Sequence, residues 1–212
     1  MDNRDFMNQV DDNYYGLAIC DPEYGIGMDN SNKRTKPSRP NSYTMYPDFR
    51  YKETDWDSER VDANSVNEVI RISKNQILWG ANYYCNLLPD GYGWIYWNKK
   101  NGDDNCFSDG EFAFSSKGVQ SRHFECSAFN GLRGGKDRIH PTEKPQRLYK
   151  WLLRNYAEPN QKIFDGWGGS MSIAIACWDL GFDLDIIELD EDYFNDAVKR
   201  FEQHISQTQM DF

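Results

Sequence analysis

The sequence predicts a doubly wound α/β fold on a mainly parallel sheet, and two stretches carry that expectation. From Lys162 to His204 the chain reads strand, glycine-rich turn, helix, strand, helix. Parallel strands joined by helical crossovers form right-handed βαβ units covered on both faces. Near the other end, Tyr15 to Cys20 is a short apolar run that stops abruptly at Asp21-Pro22. That is the mark of a buried strand whose carboxyl end delivers a loop.

The remaining elements follow from period and punctuation. Residues 28 to 58 are polar, contain Pro37, Pro40 and Pro47, and show no sustained period, so they read as a long, mobile surface loop, a lid or substrate contact. Ala63 to Ser73 carries Val66, Val69, Ile70 and Ile72 at helical spacing, and the strand Gln76 to Trp79 follows. Gly93 to Trp97 is a further apolar strand and Phe112 to Phe114 a short one, whereas Ser115 to Arg138 has no clear period. Gln146 to Tyr156 reads as a helix with Leu148, Trp151, Leu152 and Tyr156 on one face, closed by Glu158-Pro159-Asn160. Then come a strand (Lys162 to Phe164), a turn (Gly166 to Gly169), a helix (Ser170 to Leu180), a strand (Leu184 to Leu189) and a last helix (Glu191 to His204).

A chain of 212 residues fits one domain and can bury a sizeable core. Its aromatic content of 15% and apolar content of 39% point to packing rather than disorder. The five cysteines are scattered and form no C-x-x-C pair, and His123, His140 and His204 are too dispersed for a metal site, so reduced thiols and no metal are expected. No stretch approaches the roughly 20 apolar residues of a membrane span, and no leader pattern opens the chain, which predicts a cytoplasmic protein. A net charge of −10 argues against general attraction to phosphates. Any nucleic-acid contact is therefore local, and two loops offer one: Lys33, Arg34, Lys36 and Arg39 in the first, Arg133, Lys136 and Arg138 in the second.

Asp165-Gly166-Trp167-Gly168-Gly169-Ser170 lies where a strand meets a helix, where glycine permits a sharp turn and free N–H groups face a ligand. About twenty residues on, a strand ends in Glu188, the arrangement that binds two ribose hydroxyls in Rossmann-type sheets. Asp190 instead suits the cap of the last helix. Neither G-x-G-x-x-G nor a P-loop is present, which favours an adenosine ligand without phosphates, and S-adenosylmethionine fits that description.

Asp21-Pro22-Glu23-Tyr24-Gly25 resembles the catalytic loop of the amino-methyltransferases of DNA, which reads Asp/Asn/Ser-Pro-Pro-Tyr/Phe. Three more segments are similar to that family in its permuted order, catalytic half first: His140-Pro141-Thr142-Glu143-Lys144-Pro145, the Asp165 to Ser170 turn, and Glu188-Leu189-Asp190 with Glu191-Asp192-Tyr193-Phe194 and Lys199-Arg200. The resemblance spans Asp5 to Phe201. It implies a Rossmann-like fold, S-adenosylmethionine as cofactor, and DNA as partner. It further implies that Asp21 and the Pro22 carbonyl accept hydrogens from an exocyclic amine, adenine N6 being favoured over cytosine N4, and that Tyr24 stacks on the flipped base. On the cofactor side it implies that Asp165, Gly166, Gly168, Gly169 and Ser170 surround the methionine moiety, that Thr142, Lys144 and Pro145 wall the pocket, and that Asp5 and Phe6 contact the adenine. Residues 98 to 138 are the only room for a target-recognition region, which suggests a short target and leaves place for a homodimer or a helper subunit. Three departures stand out: Glu23 for a second proline, Gly166-Trp167 for Pro-Phe, and Met171 for a frequent glycine. They raise the alternative of a weakened enzyme or a non-catalytic DNA- or cofactor-binding module. A third reading, methylation of a protein glutamine amide, expects Asn at the place of Asp21 and another motif order.

Overall fold

A computed structural model describes residues 1–27, 54–90, 92–101, 108–128 and 138–209. Seven strands form one sheet in the order β5-β3-β4-β2-β1-β6-β7: β1 (Leu17–Cys20), β2 (Gln76–Trp79), β3 (Gly93–Asn98), β4 (Gly110–Ser115), β5 (Arg122–Glu125), β6 (Ile163–Asp165) and β7 (Leu184–Ile186). Every neighbouring pair is parallel except the two that involve β4, which runs against both β2 and β3. The mainly parallel sheet is as expected; the single reversed strand was not legible in the three residues Phe112 to Phe114.

Side chains alternate across each strand, so the sheet sorts its apolar residues into two cores. Leu17 and Ile19 of β1 join Ile77, Trp79, Ile95 and Trp97 on one face, beneath α3 (Gln146–Tyr156) and α4 (Ser172–Leu180). Ala18 and Cys20 point the other way and join Leu78, Phe114 and Phe164 beneath α1 (Asn3–Met7) and α2 (Ala63–Ile72). The last helix, α5 (Glu191–Gln209), lies against α4, with Trp178 and Phe201 edge to face at 6.1 Å. Among the described residues no helix is long and apolar enough to cross a membrane.

Several boundaries differ from expectation for identifiable reasons. Strand β5 was missed because Arg-His-Phe-Glu on a sheet edge shows no apolar period, and only Phe124 packs on the core. Helix α1 has five residues and is held by the Asp2 carboxylate, which accepts from the Arg4 amide at 2.8 Å. Helix α4 begins at Ser172 rather than Ser170 because Met171 takes a left-handed backbone, φ 51°. The stretch from 98 to 138 contributes β4 and β5 to the sheet. Of the predicted loop 28–58, residues 28–53 lie outside the described residues, but its end is anchored: Asp57 is buried.

The topology places a crevice. From β1 the chain crosses through α2 to β2 on one side; from β6 it crosses through α4 to β7 on the other. Strands β1 and β6 are neighbours, so the winding reverses between them, and ligands of such sheets bind outside the carboxyl ends at that point. Asp21 follows β1 and Asp165 closes β6.

Candidate active site

The loop after β1 is fixed by a carboxylate distant in sequence. Asp57 Oδ1 accepts from the Tyr24 and Gly25 amides at 2.8 Å each, and the Val61 amide donates to the Glu23 carbonyl at 3.0 Å. Gly25 has φ 69°, and a side chain there would strike the Arg60 backbone. Gly80, at φ 66°, is required for a different reason, since a Cβ would fall 1.9 Å from the Tyr24 ring. That ring stacks on Tyr83 with centroids 5.1 Å apart.

Asp21 is the centre of an ion network. The Tyr24 hydroxyl donates to its Oδ1 and the Lys144 ammonium to its Oδ2. The same ammonium meets Glu111 Oε2 at 2.9 Å and Tyr24 Oη at 3.2 Å, and Lys99 pairs with the other oxygen of Glu111. Burial, together with Glu111, raises the Asp21 pKa against the pull of Lys144. Burial acts the same way on Glu111, but Lys144 and Lys99 outweigh it and bring that carboxyl down to about 2. Burial opposes the charge of Lys144, yet Asp21 and Glu111 hold its pKa above the ordinary lysine range.

The turn after β6 is built from backbone. Gly168 donates to the Ile187 carbonyl at 2.7 Å, Met171 to the Gly168 carbonyl at 2.7 Å, and Gly169 to Glu188 Oε2 at 2.6 Å. Glu188 Oε1 accepts from the Asp190 amide at 2.8 Å. Asp165 is 1% exposed; its Oδ1 accepts from the Trp167 amide at 3.0 Å, and no ion pair to it forms among the described residues. Burial pushes its pKa well above the usual carboxylate range. The His140 ring lies 3.8 Å from where a Gly169 Cβ would stand, packed on Trp56 and Tyr193. Burial, then the nearby Arg138 and Lys144, lowers His140 to about 3, so it is neutral and accepts from the Thr142 amide. Glu143 pairs with Arg200 at 2.9 Å, and Arg200 donates to the Ser170 carbonyl at 3.1 Å, tying the His140 to Pro145 segment to the turn.

The model of the DNA methylase family, which covers N6 and N4 enzymes, matches residues 51–199. The chain belongs to this DNA methylase family. Solved structures share its fold: M1.HpyAVI with SAM (20% identity, 93% of this chain and 94% of that one, TM-score 0.54), TTHA0409 of Thermus thermophilus with S-adenosyl-L-methionine (14%, 96% and 93%, 0.57), and the cytosine-N4-specific PvuII DNA methyltransferase (12%, 97% and 88%, 0.61). No curated protein matches the chain significantly.

Within this DNA methylase the two predicted halves meet at one crevice. Asp21, Pro22 and Tyr24 stand at the end of β1, and Asp165, Gly166, Gly168, Gly169 and Ser170 at the end of β6. Glu188 reaches the turn through the Gly169 amide. Phe6 stacks on Phe164 with centroids 6.0 Å apart, and Asn3 donates to the Gly166 carbonyl at 3.0 Å, so the N-terminal segment borders the turn while Asp5 is exposed. Pro145 is buried and Thr142 half-buried, bonded to His140. Lys144, expected on the cofactor wall, directs its ammonium at Asp21. Lys33, Arg34, Lys36, Arg39, Arg133 and Lys136 lie outside the described residues; the Arg138 guanidinium donates to the Glu143 carbonyl. Sequence reading missed Asp57 and Glu111. Asp57 stood in a segment read as a loop; Glu111 adjoins Gly110 in a strand recognised only by its aromatic residues. Two of the departures are neighbours: burial raises the Glu23 carboxyl above its ordinary value, and the Trp167 side chain acts against that rise. Among the described residues no group of three or more His, Cys, Asp or Glu is placed to hold a metal ion.

Proposed function

We infer that this protein transfers a methyl group from S-adenosylmethionine to an exocyclic amino group of DNA, with adenine N6 as the target and cytosine N4 as the nearest variant. The observation that carries the reading is the juxtaposition at the β1/β6 switch point of an acceptor paired with an ammonium, Asp21, and a buried carboxylate with no ion pair among the described residues, Asp165. A buried charge left unpaired is costly, and a cationic amino-acid moiety would relieve that cost. The residues therefore fit S-adenosylmethionine. Asp165 and the amides of the Gly168–Gly169 turn would hold its methionine end, Glu188 its ribose, and Phe6 the edge of its adenine. When bound, it supplies an electrophilic methyl on a sulfonium.

The chain's own residues prepare the amine. An aromatic NH₂ is a poor nucleophile because its lone pair is delocalised into the ring. Asp21 and the Pro22 carbonyl accept its hydrogens, favour a pyramidal nitrogen and aim its lone pair, so rate comes from positioning and electrostatics. Tyr24, clamped through Asp57 and seated on Gly80, offers its ring to a base turned out of the duplex. DNA is the macromolecular partner, the loops 33–39 and 133–138 its proposed contacts, and a homodimer or helper subunit would extend a short recognition surface.

The test is methylation of mixed-sequence DNA with methyl-tritiated S-adenosylmethionine, followed by digestion to nucleosides. Label is expected in N6-methyladenine. Label in N4-methylcytosine moves the target, and no label in any nucleoside overturns the reading.

A further inference from the structure

Glu111 belongs to none of the motifs that place Asp21, yet it shares the ammonium that pairs with Asp21 among the described residues. Lys144 is 4% exposed, and its three ammonium hydrogens face three acceptors: Asp21 Oδ2, Glu111 Oε2 and Tyr24 Oη. Were neutralising Asp21 the whole purpose, Glu111 would be a second anion that itself needs Lys99 behind it. The arrangement has a different consequence. An ammonium closed on Asp21 alone would draw its electron density and weaken it as an acceptor; divided between two carboxylates, it draws less. Without Lys144, two neighbouring carboxylates would compete to stay charged, and one would take up a proton. A protonated Asp21 donates where the reaction needs it to accept.

We propose that Lys144 and Glu111 are positioning residues that set the acceptor strength of Asp21, Lys144 by keeping it ionised and oriented, Glu111 by keeping the ammonium from closing on it alone. The proposal rests on Asp21 as acceptor for the target amine. The titratable groups around Asp21 come from every adjoining element: Tyr24 in its own loop, Cys20 of β1, Tyr84 after β2, Glu111 of β4 with Lys99 behind, Lys144 and Tyr149 at α3, and Asp165 of β6. Cys20, Tyr24, Tyr84 and Tyr149 are raised by burial and Asp21, so they stay neutral through the working range.

The experiment is the pH profile of single-turnover methyl transfer by the wild-type protein, K144Q and E111Q, with S-adenosylmethionine binding measured in each. K144Q is expected to move the acidic limb to higher pH and to lower the rate at pH 7 at least tenfold. E111Q is expected to move the limb the opposite way, with a severalfold lower plateau. K144R, which keeps the charge, should return the limb to its wild-type position. Equal limbs in wild type and E111Q, or shifts of the same sign in E111Q and K144Q, overturn the proposal. So does a loss of cofactor binding as large as the loss of rate in K144Q, which would make Lys144 part of the cofactor wall. If K144Q fails to fold, the sign of the E111Q shift decides. A wild-type protein that transfers no methyl group sinks the functional reading itself, whereas transfer with unmoved limbs sinks this inference alone.

Discussion

Asp21 and Asp165 end adjacent parallel strands and border the same crevice, yet the protein treats their charges in opposite ways. Asp21 receives an ammonium and a phenol, and the anion beyond that ammonium has a cation of its own. Asp165 receives one backbone amide and no ion pair among the described residues, and burial drives its pKa well above that of an exposed carboxylate. The first site is electrostatically complete before anything binds. On the proposed function, a cation of the ligand completes the second. On that same proposal, one carboxylate accepts hydrogens from a neutral amine and the other receives a cation, a division of labour that a family motif alone does not reveal.

The sharpest break of that contrast is Asp21→Asn. It removes the charged acceptor while leaving Asp165 intact, so methyl transfer should fall by about a hundredfold or more. S-adenosylmethionine affinity should stay within a few fold, as read by equilibrium dialysis. Asp57→Ala comes next: it frees two amides from a buried carboxylate, which costs about 3 kcal/mol. A lower Tm and a drop in transfer of about tenfold are expected, because the Tyr24 ring loses its anchor. Asp165→Asn should do the reverse of Asp21→Asn, weakening cofactor binding by roughly tenfold while stabilising the ligand-free protein by about 1 kcal/mol. The sign follows from linkage. A carboxyl whose pKa is raised on folding holds its proton more tightly in the native state, so its contribution is full at low pH and is lost as pH rises through the folded pKa. Chemical denaturation of wild type against D165N, without ligand, should show a gap that opens from about pH 4 upward. A gap that closes with rising pH would contradict an unpaired Asp165.

The legibility of these two carboxylates in the sequence was unequal. Both announced themselves as the polar end of an apolar run, and Gly168–Gly169 and Glu188 marked the proposed cofactor side, because strand ends and glycine turns are local features that spacing records. What surrounds Asp21 is not local. Asp57 is 36 positions away and Glu111 is 90, and a carboxylate that will face a buried lysine has the same letter as one that will face water. Lys144 was read through its neighbours in a motif, and its direction toward Asp21 required knowing that β4 and β1 both flank β2. The same limit hid β5 and the reversal of β4, which depend on pairing rather than on period.

Met171 provides the smallest effect and the cleanest separation of terms. A glycine is frequent at this position in the family, and the backbone explains why: φ is 51°, a left-handed conformation that costs an ordinary residue about 1–2 kcal/mol. The side chain is nevertheless buried, 5% exposed, so the chain accepts strain at the turn in return for apolar contact. Met171→Gly relieves the strain and loses the contact, while Met171→Ala loses nearly the same contact and keeps the strain. Both variants should be less stable than wild type, by about 1–3 kcal/mol. The glycine variant should be the more stable of the two by up to about 1 kcal/mol, even though glycine gains more freedom on unfolding. Equal denaturation midpoints would mean that the first turn of α4 relaxes without the left-handed residue, and that the cofactor turn is less rigid than its backbone hydrogen bonds imply.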